Sequence, residues 1–214
     1  MNYRETILNI ISICTIIFLP HAELIPFFGY SVPILILTYF VLKFANQSFS
    51  DLGFSLKLFR PKSILIGLLL AVLTLGFLQL IFHPTLELVA SLDSKDVGLR
   101  DTIQGGMMPL VLMIIMGWLV GGIYEEIVFH GFIFTRLEKM IKGRYSSHIS
   151  FIVTSIIFGL YHIQLGSLGA INATVGGAIY LMIYLYFNRN LWYSIFCHGF
   201  YNTMVMLLIY FDYL

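Results

Sequence analysis

An all-α, polytopic transmembrane helical bundle is the fold class this sequence predicts, and three observations carry it. Of the 214 residues, 59% are hydrophobic and 11% are charged. A soluble domain carries about 25% charged residues. A mean hydropathy of +0.90 leaves too little polar surface to coat a water-soluble globule. The apolar residues also gather into runs near the roughly 20 residues a helix needs to cross a bilayer. Few charges, a net charge of +1 and two cysteines exclude a disordered chain, a nucleic-acid partner and a disulfide scaffold.

Apolar runs bounded by charges or by Pro and Gly predict about seven spans. The first, 6–19, stops at Pro20 and is short; no small-residue cleavage site follows it, so it is expected to remain as a span. The second and third run over 27–44 and 63–82, and a polar stretch, 87–106, follows. The fourth runs over 109–125, with its helical pattern continuing to 134. The last three cover 149–162, 168–187 and 191–210. Residues 1–48 are expected to form N-terminal transmembrane helices and 49–214 the functional core. Cys14 and Cys197 sit inside apolar runs, where buried thiols packing as small hydrophobes are expected.

The charges sort by side. With the N-terminus inside, the inner segments hold Arg4, Lys43, Lys57, Arg60, Lys62, Arg136, Lys139, Lys142, Arg144 and Arg189. The outer ones hold only Lys95 and Arg100, beside Glu23, Glu87, Asp93, Asp96 and Asp101. This is the positive-inside pattern, and it agrees with seven spans and a cytoplasmic N-terminus.

An ionisable group within a span costs at least about 2.5–3.5 kcal/mol on insertion scales, so each one needs a reason. Glu125, Glu126 and His130 lie on the fourth span, His162 on the fifth, and His198 with Asn202 on the seventh. Residues four apart share a helix face, which pairs Glu126 with His130 and His198 with Asn202. Glu125 lies about 100° around the helix from Glu126, so the two carboxylates cannot serve one point equally. One is expected to face a cavity while the other pairs with His130. Gly117, Gly121, Gly122, Gly131, Gly159 and Gly199 surround these positions, and small residues let helices approach closely in lipid.

A buried carboxylate with two imidazoles and an amide supports three kinds of chemistry. It can activate water against a carbonyl, bind a metal, or relay protons and ions. His-Glu-x-x-His is absent, no span holds a pair of aspartates, and Ser167 lacks a Gly two positions earlier. No inverted repeat of the transporter kind is visible. No spacing forms a compact zinc motif, so no metal or other cofactor is expected.

Glu125-Glu126-Ile127-Val128-Phe129-His130-Gly131, Phe158-Gly159-Leu160-Tyr161-His162 and His198-Gly199-Phe200-Tyr201-Asn202 form an ordered set. The set resembles the CPBP family, which comprises CAAX proteases and bacteriocin-processing enzymes and is also called the Abi family or the type II CAAX prenyl endopeptidases. That family's motifs read Glu-Glu-x-x-x-Arg, Phe-x-x-x-His and His-x-x-x-Asn, in this order on successive helices. Trp192 and Asp51-Leu52-Gly53-Phe54 also look like the family's habits.

The resemblance implies a glutamate-dependent intramembrane endopeptidase. Glu125 would be the general base, His162 would help bind and orient the water, and His198 with Asn202 would form the oxyanion hole. Glu126 and His130 would support the site. The implied substrate is a membrane-associated peptide or protein, either a prenylated tail or a leader peptide, and the implied location is a bacterial cell membrane. A non-catalytic immunity or scaffold protein on the same fold is the competing class, and an ion or proton transporter the third. One position departs from the motif, since His130 stands where the family has Arg. Histidine is only partly charged near neutrality, so its pairing with Glu126 is expected to depend on pH. Counted from the inner ends, Glu125 is shallow on its span while His162 is late on its own, so the two are expected to meet only if the fifth helix starts outside the bilayer or tilts.

Overall fold

The computed structural model describes residues 3–22, 24–25, 27–89 and 98–214, and among them every regular element is helical. Glu23, Asp93, Lys95 and Asp96 of the charge partition lie outside the described residues. Helix α1 is Tyr3–Phe18, prolonged by the 3-10 turn Leu19–Ala22, and α2 is Ser31–Phe44. Helix α3 runs over Lys62–Val89, and α4 is the short Leu99–Gln104. Helix α5 spans Met107–Met140, followed by α6 at Ser146–Tyr161, α7 at Gly166–Tyr186 and α8 at Leu191–Tyr210.

Local chemistry explains several boundaries. Pro33 and Pro109 fall in the first turns of α2 and α5, where the helix offers a backbone N–H no partner anyway. Pro84 lies inside α3, where its ring would press on the carbonyl of residue 80, and the preceding turns, Leu78–Phe82, widen to i→i+5 pairing. The Asn190 side chain caps α8 by accepting from the Trp192 N–H at 3.1 Å. Between α2 and α3 two 3-10 turns, Phe49–Leu52 and Leu56–Leu58, fold back onto the α7–α8 corner. Ser48 donates twice to the Asp51 carboxylate, both at 2.8 Å, and holds that carboxyl below its ordinary range.

That corner is tightly clamped. The Trp192 indole donates to the Ser55 carbonyl at 2.8 Å, the Tyr184 hydroxyl to Leu52 at 3.1 Å and the Asn190 amide to Leu58 at 2.9 Å. Gly53 has φ +89°, and a Cβ there would collide with the Arg189 carbonyl, so only glycine fits. The clamp fixes the start of α8 and, through it, the height of His198 and Asn202.

Helix α8 packs along α3 on one side and along α5 on the other, while α6 pairs with α7. The polarity of the bundle is inverted relative to a soluble protein. Leu73 on α3 is 68% exposed, whereas Glu126 is fully buried. Among the described residues four helices, Tyr3–Ala22, Lys62–Val89, Met107–Met140 and Ile163–Tyr186, are long and apolar enough to cross a membrane. Phe28–Phe44 with Phe49–Leu58, bent by 99°, makes a fifth if the two count as one. The protein is therefore an integral, polytopic membrane protein.

Two expectations need correcting. Helix α5 does not stop near 125 or 134 but continues to Met140, because Glu125 and Glu126, which look like a boundary in sequence, are buried in the bundle. Cys14 is exposed rather than buried: Asn9, Ser12, Ile13 and Ile16 form the inward stripe of α1, and Cys14 falls outside it. Cys197 is buried as expected.

The charged residues gather at two ends. At one, Lys139 donates to the Gln47 side chain at 3.1 Å, and Arg189 pairs with Glu138 at 2.8 Å. At the other, Arg100 pairs with Asp212 and Gln104 donates to the Ile209 carbonyl. The first end contains residues read as inner and the second residues read as outer.

Candidate active site

The middle of α5 carries the site. Over Gly117–Ile133 its turns widen to i→i+5 pairing, a form seen mostly as short bulges and frequently at functional positions. From Val120 to Arg136 nearly every residue is buried, which makes α5 the central helix.

Glu126 is held on both oxygens. Its Oε2 lies 2.9 Å from His130 Nδ1 on the same helix, and its Oε1 lies 2.9 Å from His198 Nδ1 on α8. A carboxylate only accepts, so both imidazoles present an Nδ1–H to it. His198 is further fixed by Tyr180, whose ring stacks on it at 4.2 Å between centroids and 18° between planes. The second nitrogen of His130, Nε2, is buried without a hydrogen-bond partner among the described residues.

Glu125 is placed differently. Its Oε1 is 3.8 Å from His162 Nε2 and its Oε2 is 3.9 Å from His198 Nε2. Those separations are too long for direct hydrogen bonds, so its oxygens are close to two ring nitrogens without being engaged by either. His162 terminates α6, and its Nδ1 donates to the Phe158 carbonyl at 2.8 Å. In the neutral ring that bond leaves the Nε2 lone pair facing Glu125. The Asn202 amide donates to the Gly117 carbonyl at 3.2 Å, which occupies one of its two N–H groups. Gly121 permits this closeness: a Cβ there would run into the Asn202 amide and come within 3.3 Å of His198 Nε2.

Glu125, His162, His198 and Asn202 border one cavity of about 420 Å³. It reaches past Gly121, Met116 and Met113 to Leu99, Thr102, Phe28 and Tyr30, and so extends toward the end holding α4 and Arg100. Glu126 and His130 lie behind this wall. The structure thus brings together all six candidate positions, with four on the cavity and two beneath it. Among the described residues no three His, Cys, Asp or Glu side chains meet as a metal-holding group.

The depth mismatch between Glu125 and His162 disappears once α5 is seen whole. Glu125 is fifteen residues from Met140, and His162 sixteen from the start of α6, so both lie about 20–25 Å along their helices from the same end.

A family model described as type II CAAX prenyl endopeptidase Rce1-like matches residues 107–204, from the first turn of α5 to Asn202 and two residues beyond. Over these residues, which are under half of the chain, the sequence is similar to that family. No solved structure and no curated protein matches the chain.

The matched segment contains every candidate residue. Sequence reasoning missed other side chains of this segment that shape the site. Tyr180 stacks on His198, and Phe158 packs against the rings of His130 and His162. Tyr161 lines the cavity with a buried hydroxyl that has no hydrogen-bond partner among the described residues. Phe158 belongs to the second motif and Tyr161 precedes its histidine, which was a signal; Tyr180, on a helix without a motif, offered none.

Proposed function

We propose that this protein is an intramembrane endopeptidase that hydrolyses a peptide bond with water activated by Glu125. The observation that supports this most is the contrast at the cavity wall: Glu126 is bound on both oxygens, while Glu125 faces two imidazole nitrogens at 3.8 and 3.9 Å. A water between Glu125 and His162 would give one proton to the carboxylate and the other hydrogen bond to His162 Nε2. Its oxygen adds to the substrate carbonyl carbon, and the carbonyl π pair moves onto oxygen as an oxyanion. Asn202 offers its remaining N–H, and His198 Nε2 donates when the ring carries both protons, with Glu126 as the counter-charge. Collapse of the tetrahedral intermediate breaks the C–N bond, and the departing amine takes the proton held by Glu125.

The cavity also bears on the source of substrate. It opens toward α4 and Arg100, the end that is poor in Lys and Arg, which the positive-inside bias assigns to the outer face. The substrate class is then a membrane-associated peptide or leader presented from outside, rather than a prenylated tail exposed to the cytoplasm.

Purified protein in proteoliposomes, incubated with a peptide library and read by mass spectrometry, tests the activity. New termini with wild type, absent with Glu125→Gln, support hydrolysis; no new termini from any peptide with either protein would favour a binding or immunity role. In intact cells an impermeant thiol reagent should label a Cys-free variant carrying Thr102→Cys and spare one carrying Lys142→Cys. The opposite labelling would overturn the direction of access.

A further inference from the structure

A second cavity, of about 390 Å³, lies at the opposite end of the bundle, between the start of α1, the end of α2 and the last turns of α5. Arg136 lines it. That residue is 2% exposed, yet its Nε and Nη2 are buried without a hydrogen-bond partner among the described residues. The guanidinium lies 5.1 Å from the Phe132 ring, which covers one face but gives nothing to the in-plane N–H groups. Lys139 borders the same cavity, held by its bond to Gln47. Glu5 borders it too, so one carboxylate stands against two cations. Glu5 acts on the guanidinium electrostatically but leaves Nε and Nη2 without a hydrogen bond among the described residues, and burying these two donors unmet is costly unless an anion completes them.

Nε and Nη2 form the edge of the guanidinium that grips two oxygens of one oxyanion, a geometry suited to phosphate. We propose that this cavity binds a phosphate group, carried by an anionic phospholipid or free in solution. Arg136 supplies the bidentate fork and Lys139 the second positive charge. Arg136 lies about one turn from the end of α5, and if that 34-residue helix is centred on a hydrocarbon core of about 30 Å, this turn falls at the level of the headgroups. Leu8 and Phe44 give the cavity an apolar wall beside its charged one, which suits a headgroup with the first carbons of its chains. The site is at least ten residues along α5 from Glu125 and shares no lining residue with the catalytic cavity.

Thermal unfolding of the purified full chain in a neutral detergent tests the site, with phosphatidylglycerol, phosphatidylcholine or inorganic phosphate added separately. A site near saturation raises Tm by about 5 °C. A rise with phosphatidylglycerol alone assigns the phosphate to a lipid, and a rise with inorganic phosphate as well assigns it to solution. Arg136→Leu should abolish the shift. Lys139→Gln, at an exposed side chain whose loss does not threaten the fold, should reduce it by at least half. No shift with any addition, an equal shift with phosphatidylcholine, or an unchanged shift in either variant would overturn the proposal.

Discussion

Glu125 and Glu126 are adjacent in sequence and both buried in the centre of α5, yet they face different surroundings. Behind the wall, Glu126 is bound at 2.9 Å by His130 and by His198, so each oxygen has a fixed donor. In front of it, Glu125 borders an open cavity, and among the described residues its nearest ion-pair partner, His162, is 3.8 Å away. A carboxylate with both oxygens committed is a strut, whereas one left open toward a cavity has lone pairs to offer a reactant. One peptide unit separates the two roles, and the rotation per residue of the helix divides them.

Removing Glu125 should produce the largest effect on turnover. Glu125→Gln is isosteric, and it should lower kcat by about 10³-fold or more with little change in Tm, since no close partner is lost. Equal activity in the variant would erase the contrast between the carboxylates. Asn202→Ala should come next, with kcat lower by about 10²–10³-fold and KM little changed, as expected for a donor that acts on developing charge. A change confined to KM would make Asn202 a binding residue instead.

Glu126→Gln sharpens the contrast from the other side. It places an amide N–H against one of two imidazole N–H groups and breaks a buried pair, at a cost of about 3–5 kcal/mol. Tm should fall by roughly 10 °C, measured by thermal unfolding in detergent, and cleavage should fall with it as His198 loses its anchor. A variant that keeps its Tm would show that Glu126 is no strut. His130→Leu should have the smallest effect, removing one anchor and leaving the other: cleavage should drop by about tenfold, in line with one hydrogen bond to a charged group. His130→Arg should preserve or raise cleavage. If His130→Leu leaves cleavage and stability unchanged from acid to alkaline pH, the pairing has no function.

The sequence carried the fold class, and it named the polar side chains that the structure gathers around one cavity, because both rest on local signals. Helix α8 begins and ends where the apolar run 191–210 does, and the three motifs supply the Glu125 carboxylate, the His162 and His198 imidazoles and the Asn202 amide of the cavity wall, while the Gln164 amide on that wall lies outside them. The true length of α5 was less legible. Glu125 and Glu126 look like a span boundary until His130 and His198 are seen to neutralise the cost of burying one of them, and His198 is 72 residues away. Misjudging that length is also what made Glu125 look shallow. Arg136 shows the same limit more sharply. In sequence it is one more inner-face cation, and only packing reveals that it is buried with Nε and Nη2 unmet among the described residues.

Hydrolysis of a cleavable peptide in ¹⁸O-labelled water, followed under single-turnover conditions by mass spectrometry of product and protein, tests the division of roles between the two glutamates most directly. If Glu125 activates water, one ¹⁸O enters the new C-terminal carboxylate of the product and none enters Glu125. Label appearing in the Glu125 side chain would make it a nucleophile that forms a covalent intermediate, and label in Glu126 would assign the reacting carboxylate to the wrong residue.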